Sequence, residues 1–276
     1  MTLPAALDAG TVRAVAMDLD RTILPETLEL RPRLIDAVRA VAAAGVVPIV
    51  ATGRMLRSSL PFALELGVTA PLICYQGALI ADPQSGEWLR HEPMPVPLAR
   101  EVIEACRKRD QHCNVYVDDE LYVDELNVYA LEYARHAKLE AHPVGDLERW
   151  LTEPTTKIVV VGEPELLDTL QVKLRAQFGD RLFIAKSLPF FLEIASPKVT
   201  KGSGLQFLAE HIGFAPERTV AFGDGENDIE LLEWAGYGIA VANAHERLIE
   251  IADYVCPPVT EEGVAQVIEA VLDSRA

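Results

Sequence analysis

The chain has 276 residues, of which 50% are apolar and 24% charged, enough apolar material for one large core or two smaller ones. This composition excludes an intrinsically disordered chain. Its 25 basic and 42 acidic residues give a net charge of −17, which disfavours nucleic acid and anionic membranes as partners. A site for a small anion must therefore supply positive charge locally.

Targeting signals and the pattern of cysteines indicate the cellular compartment in which the protein is expected. No apolar run reaches the roughly 18 residues that a membrane-spanning helix needs, and residues 1–10 lack the basic stretch of a secretion signal. We therefore predict neither a membrane span nor secretion. The chain contains no CxxC pair, and its cysteines are Cys74, Cys106, Cys113 and Cys256. A reduced, cytoplasmic protein is expected.

Short apolar runs alternate with helix-like segments at both ends of the chain, the pattern of β-α-β units. The predicted strands of these two ends are residues 12–17, 46–51, 72–75, 219–222, 238–241 and 254–255. Predicted helices start at Arg31 and Asp228, and a last helix covers residues 264–272. The two ends together predict one doubly wound parallel sheet, a Rossmann-like α/β core.

The pattern of residues changes in the middle of the chain. Asp82-Pro83 and a Pro-rich segment at 93–97 indicate a boundary between domains there. We predict a catalytic core formed by residues 1–82 and 197–276, with an α/β domain inserted at 83–196. The predicted strands of the insert are 114–117, 121–123, 157–161, 182–185 and 190–194, and its predicted helices are 126–137 and 164–178.

Polar residues follow the predicted core strands where each strand ends. Asp18 and Asp20 follow the first strand, Thr52 the second, and Asp224 the strand at 219–222. In an open parallel sheet these ends form the ligand site, so three carboxylates should meet there. Such a cluster requires a cation, and oxygen ligands without a His/Cys cluster favour Mg²⁺ over Zn²⁺. A carboxylate nucleophile beside a metal and a phosphate can form an aspartyl-phosphate.

Two segments could supply the positive charge that a phosphate needs. Thr52-Gly53 presents a hydroxyl and backbone N–H groups next to a helix start. Lys201 stands at the N-terminus of another predicted helix, where its ammonium and the helix dipole act on the same anion. The nearby Lys198 is the alternative candidate for this phosphate-binding lysine. Either residue could instead be an ordinary solvated lysine on the surface.

These motifs resemble those of the haloacid dehalogenase-like superfamily of phosphohydrolases: DxDxT, a Ser/Thr at a strand end, a Lys, and an acidic GDGxND loop. All four occur here in that order, at residues 18–22, 52, 201 and 223–228. A long segment between Arg54 and Lys201 is similar to the inserted cap of the Cof-type branch. Further similarity lies in residues 235–244, 252–254 and 262–264, so the resemblance covers nearly the whole chain.

The resemblance implies roles for individual residues. It makes Asp18 the nucleophile and Asp20 the general acid and then base. The implied ligands of phosphate or substrate are Thr52, Gly53, Arg54, Lys201, Asn227 and Asn243. The implied Mg²⁺ ligands are Asp18, the Asp20 carbonyl and Asp224, with Asp228 supporting them or the phosphate. For Arg54, pairing with a neighbouring carboxylate is an equal alternative, and Asn243 could be a turn residue.

Three positions depart from the family pattern: Arg21 in place of Gly, Gln76 in place of Asn, and Glu262 in place of Asp. The expected protein is a Mg²⁺-dependent phosphomonoesterase acting on a small phosphorylated metabolite, as a monomer or small homo-oligomer. The insert is expected to act as a lid that selects the leaving group. A phosphotransferase of the same superfamily and a non-catalytic phosphate-binding protein are the alternatives.

Overall fold

The computed structural model describes residue 7 and residues 9–274. Residues 1–6 and 8, within the segment for which we predicted no secretion signal, lie outside this description. The chain divides into two compact units: the described residues up to Arg90 together with those from Thr200 onward, and His91–Val199. Within the described residues, no helix combines the length and the apolar character needed to cross a bilayer.

The first unit is built on a five-stranded, all-parallel sheet with the order β14-β13-β12-β1-β2. These strands are β1 (Ala14–Met17), β2 (Val47–Val50), β12 (Thr219–Gly223), β13 (Tyr237–Val241) and β14 (Tyr254–Cys256). The three central strands, β1, β12 and β13, are buried along their whole length, as expected for parallel strands covered on both faces. The predicted α/β fold with a parallel sheet is thus confirmed.

The described part of this unit contains the α-helices α1 (Pro32–Ala43), α2 (Leu56–Leu66), α7 (Lys201–Ile212), α8 (Ile229–Trp234), α9 (Glu246–Ile251) and α10 (Gly263–Asp273). Helix α1 begins at a proline, whose fixed φ suits the first helical position, and buries an apolar stripe. A left-handed glycine, Gly67, ends α2.

A second, three-stranded sheet extends the first unit: β3 (Leu72–Cys74), β4 (Leu79–Ala81) and β5 (Trp88–His91). The Asp82-Pro83 segment, which we interpreted as a break between domains, is the turn between β4 and β5. The Asp82 carboxylate accepts hydrogen bonds from the backbone N–H groups of Gln84 and Ser85. The first unit therefore continues to Arg90, beyond the boundary at residue 82 that the sequence suggested.

The second unit contains a six-stranded sheet with the order β10-β11-β9-β6-β7-β8, antiparallel except for the parallel pair β7 and β8. Its strands are β6 (His112–Val117), β7 (Glu120–Val123), β8 (Ala141–Pro143), β9 (Lys157–Val161), β10 (Phe183–Leu188) and β11 (Phe191–Ala195). Its helices are α3 (Val96–Arg107), α4 (Val128–Ala137), α5 (Leu147–Trp150) and α6 (Pro164–Phe178). All five strands predicted for the insert are present.

The sequence interpretation missed three elements of this unit: α3, β8 and α5. Helix α3 starts inside the Pro-rich segment. Pro95 occupies its N-cap position, and Pro97 lies in its first turn, where a missing N–H costs nothing. Strand β8 has three residues and α5 has four, too short to show a periodic pattern.

Candidate active site

Asp18, Thr52 and Asp224 lie at the carboxyl edge of the parallel sheet. Met17 at the end of β1 pairs with Phe222 of β12 and with Val50 of β2, so the chain leaves all three strands at one level. The pairing continues one residue further, because the Asp18 N–H donates to the Phe222 carbonyl at 3.0 Å. The sheet register therefore places these polar residues side by side.

Lys201 reaches the same edge from the first turn of α7. This helix starts sharply, since Thr200 and Ser203 form a capping box in which each hydroxyl accepts from the other residue's N–H, at 3.1 and 3.0 Å. The Lys201 side chain is only 1% exposed. Its Nζ donates to Oδ1 of Asp18 and to Oδ1 of Asp228, both at 2.6 Å. Lys198, the alternative lysine, is exposed.

Asp228 holds the loop after β12 in shape. Its Oδ2 accepts from the backbone N–H groups of Asp224 and Gly225, at 3.0 and 2.9 Å. The Asp228 side chain lies so close to Gly223 that a Cβ there would collide with it, which explains the glycine at the end of β12. Asp228 is fully buried and belongs to the site as an organiser of this loop.

The site concentrates negative charge in a small buried volume. One carboxylate oxygen from each of Asp18, Asp224 and Asp228 lies within 4.8 Å of the others. Lys201 is the buried cation among them, and the half-exposed Arg21 places its Nε 3.6 Å from Asp224. Three carboxylates against one buried ammonium, with oxygen as the ligand atom throughout, fit a divalent cation such as Mg²⁺.

The pKa values of these groups show the same crowding. Burial, together with the charges of Asp228, Asp224 and Asp20, raises the pKa of Asp18 well above its usual range, although Lys201 opposes this shift. Burial and then Asp228 raise the pKa of Asp224 to about 6. Burial alone would lower the pKa of Lys201, but Asp18 and Asp228 raise it above its ordinary value. A bound divalent cation would relieve the carboxylate crowding.

Asp224 should make the metal-free protein less stable as the pH rises. Its folded-state pKa of about 6 exceeds the ordinary value of 3.8, so the folded state binds the proton more tightly than the unfolded chain. This contribution to the unfolding free energy is on the order of 1–3 kcal/mol. It is fully present below about pH 4 and is lost as the pH rises through 6. In EDTA, the unfolding free energy from urea titrations should fall less steeply over this range for Asp224→Asn.

The same pair of proteins tests the cation. At pH 7, Mg²⁺ should raise the melting temperature of the wild-type protein more than that of Asp224→Asn, because binding to the folded state stabilises it. If the two proteins lost unfolding free energy equally with pH and gained equally in melting temperature with Mg²⁺, Asp224 would contribute to neither effect.

Arg54 holds Asp20 in the structure. Its Nε and Nη2 donate to the two carboxylate oxygens of Asp20 at 2.7 and 2.5 Å, a bidentate pair. The guanidinium also lies 5.3 Å from the ring centre of Phe62. The Arg54 N–H donates to the hydroxyl of the fully buried Thr52 at 3.1 Å. Of the two roles considered for Arg54, the structure shows the carboxylate pairing.

The side chain of Asn243 forms hydrogen bonds with the backbone at two other positions of the chain, Arg21 and Val259. Its Nδ2 donates to the Arg21 carbonyl at 2.8 Å, and its Oδ1 accepts from the Val259 N–H at 2.9 Å. Both ends of its amide are therefore engaged with backbone groups. A contact between Asn243 and substrate stays a prediction.

Two contacts escaped the sequence reasoning. The buried Thr22 hydroxyl donates to Oδ1 of Asp224 at 3.3 Å, joining two motifs that lie far apart in the chain. The last position of DxDxT was a signal for it. Asn227 donates from Nδ2 to Oε1 of Gln76 at 3.0 Å. The departure of Gln76 from the family pattern was the only sign of this contact.

The chain belongs to the haloacid dehalogenase-like hydrolase family, whose profile matches residues 15–268. It is 30% identical to the pyridoxal phosphate phosphatase YbhA of Escherichia coli, over 94% of this chain and 98% of that one. It is 26% identical to the 5-amino-6-(5-phospho-D-ribitylamino)uracil phosphatase YitU of Bacillus subtilis, over 92% and 96%. The crystal structure of TM0651 from Thermotoga maritima superposes with a TM-score of 0.85 at 33% identity, covering 94% and 97%.

These similarities span the inserted unit as well as the parallel-sheet unit, since each covers more than nine-tenths of both chains. The resemblance to the Cof-type branch, which is distinguished by its insert, is thereby confirmed. The chain is an enzyme of the phosphatase class.

Proposed function

We propose that this enzyme hydrolyses the phosphomonoester of a small phosphorylated metabolite, through a phosphoryl group carried on Asp18. The observation that carries the proposal is the buried set of Asp18, Lys201, Asp224 and Asp228 at the carboxyl edge of the parallel sheet. It combines a carboxylate nucleophile, a fixed ammonium and an oxygen-only cation site, which phosphoryl transfer requires together.

Asp18 forms the new bond to phosphorus while the bond to the ester oxygen breaks. Lys201 fixes the Asp18 carboxylate through its 2.6 Å hydrogen bond, and its charge stabilises the oxygens of the transferring group. Asp18, the Asp20 carbonyl and Asp224 would hold Mg²⁺, with Thr22 and Asp228 fixing Asp224 and its loop. A bound Mg²⁺ would neutralise charge on the carboxylates and on the phosphate.

Asp20 supplies the proton for the departing alcohol and later removes a proton from the attacking water, which releases phosphate and regenerates Asp18. In the structure Arg54 pairs with the Asp20 carboxylate. The phosphate of an incoming substrate competes for this guanidinium, and release of Asp20 from Arg54 leaves it free to carry a proton. Thr52, Gly53 and Asn227 complete the phosphate-binding part of the site in this proposal.

The partners follow from charge and size. The net charge of −17 supports a small metabolite as substrate, with no nucleic acid or membrane partner. The four cysteines are buried, consistent with the reducing cytoplasm that we propose as the location.

A panel of phosphorylated metabolites tests the proposal directly. With Mg²⁺ present, the enzyme should release inorganic phosphate from p-nitrophenyl phosphate and from at least one metabolite in the panel. Release should stop in EDTA and return when Mg²⁺ is added. Transfer of the phosphoryl group to a second sugar, without free phosphate, would instead make the enzyme a phosphotransferase.

We further propose that the second unit selects the leaving group, since the reacting residues all come from the first unit. Replacing residues 91–199 with a Gly/Ser linker should reduce kcat/KM for the metabolite more than for p-nitrophenyl phosphate. The aryl ester has a good leaving group and depends less on positioning. An equal loss for both, in a variant shown by circular dichroism to be folded, would mean that the insert supplies catalytic groups.

A further inference from the structure

The side-chain amide of Gln76 is buried, and only one of its two ends has a partner. Gln76 is 6% exposed, and its Oε1 accepts a hydrogen bond from Nδ2 of Asn227 at 3.0 Å. Within residues 9–274, Nε2 donates to no protein atom. The amide nitrogen of Gln76 is therefore a donor that a ligand oxygen can engage.

This free nitrogen lies against the phosphate-binding segment proposed above. A Cβ built on Gly53 would stand 2.5 Å from Nε2 of Gln76, so the amide occupies the space beside the Gly53 backbone. The backbone of Gln76 is tied to the same segment, because its N–H donates to the Thr52 carbonyl at 3.0 Å. Gly53 itself leaves room for the amide, and any larger residue there would displace it.

The turn that carries Gln76 is strained in a way that requires compensation. Tyr75 and Gln76 both have left-handed backbone conformations, with φ of 50° and 61°. Neither residue type favours this region, and each such residue costs about 1 kcal/mol or more. The next residue, Gly77, lies so close to the Thr200 carbonyl that a Cβ would collide with it. The strained turn thus places Gln76 between the Thr52-Gly53 segment and the start of α7, where Lys201 lies.

We propose that Nε2 of Gln76 donates a hydrogen bond to a non-bridging oxygen of the substrate's phosphate, an inference that rests on the proposed phosphatase function. Asn227 holds the other end of the amide and fixes its orientation, so that the N–H groups stay directed away from Asn227. Gln76 therefore binds phosphate directly, and its contact with Asn227 positions it.

Isosteric substitutions separate this role from a purely structural one. Gln76→Glu keeps an oxygen that accepts from Asn227 but replaces the donor with a negatively charged acceptor. Gln76→Met keeps the length and loses both hydrogen bonds. Asn227→Ala removes the partner together with the phosphate contact proposed for Asn227 itself, so Gln76→Met is also made in the Asn227→Ala background. Gln84→Glu adds the same charge in the exposed turn between β4 and β5 as a control. Calorimetric titration with inorganic phosphate in the presence of Mg²⁺ measures binding without turnover.

We expect Gln76→Met to weaken phosphate binding on the order of tenfold, as for loss of a hydrogen bond to a charged group, and Gln76→Glu to weaken it further. Gln84→Glu should bind as the wild-type protein does. If Gln76 acted only by orienting Asn227, Gln76→Glu would retain wild-type affinity and Gln76→Met would cause no further loss in the Asn227→Ala background; either result overturns the proposal. Should Gln76→Glu fail to fold, the effect of Gln76→Met in the Asn227→Ala background decides.

The titration also separates this inference from the proposed function. A wild-type protein that binds phosphate but releases none from any ester would contradict hydrolysis, while the Gln76 variants would still decide the phosphate contact. A wild-type protein that binds no phosphate at millimolar concentration would overturn the role of Gln76, whatever its activity.

Discussion

Asp18→Asn is expected to abolish turnover while leaving the protein folded. An amide cannot form the acyl-phosphate, and loss of a nucleophile costs on the order of 10⁴-fold or more in kcat. The fold should tolerate the change, because the Asn oxygen can still accept from Lys201, which also remains paired with Asp228. Steady-state kinetics on p-nitrophenyl phosphate measure the loss.

The stability of this variant provides a second readout. Burial and three neighbouring carboxylates raise the pKa of Asp18, so the charged form is costly in the metal-free fold. In EDTA at pH 7, Asp18→Asn should therefore be at least as stable as the wild-type protein. Asp36→Asn, on the exposed face of α1, makes the same chemical change away from the site and should leave both readouts unchanged. Activity within tenfold of wild type would remove Asp18 from the role of nucleophile.

Lys201→Met should damage both stability and catalysis. Lys201 is the shared buried partner of Asp18 and Asp228, and its removal leaves these buried carboxylates without a cation. Breaking a buried ion pair from one side costs about 3–5 kcal/mol. Urea titrations in EDTA at pH 7 should show this loss. Lowering the pH should restore part of it, because the carboxylates can then bind protons.

The double variant Asp18→Asn/Lys201→Met distinguishes the two effects of Lys201. It should recover part of the stability, since one of the two unpaired carboxylates is gone, and it should recover no activity. Lys173→Met, on an exposed position of α6, is the matched control. An unchanged urea midpoint for Lys201→Met would show that the ion pairs contribute little to the fold.

The sequence by itself determined which residues meet at the site. Asp18, Thr52 and Asp224 follow apolar runs that had to become parallel strands, and such strands end at one edge of the sheet. Lys201 could be placed as well, because the helix signals after it fix where α7 begins. These inferences need only hydrophobic periodicity and residue type, which are local properties of the chain.

The tertiary structure decided which side chains pair within the site. The bidentate pairing of Arg54 with Asp20, the bond from Thr22 to Asp224 and the contact between Gln76 and Asn227 each depend on side-chain rotamers and distances of a few ångströms. Residue type and spacing do not fix such details, since several partners of suitable charge lie within reach of each group.

Domain boundaries depended on tertiary structure for a similar reason. A turn at Asp82-Pro83 inside a hairpin and a turn between domains have the same local composition, and only the pairing of β4 with β5 distinguishes them. Prolines in the 93–97 segment likewise start a helix as readily as they interrupt one. The sequence thus determined the class of fold and the polar residues that lie together at the carboxyl edge of the sheet, because both follow from local pattern. The contacts that tune those groups required the packed structure, because they join residues distant in the chain.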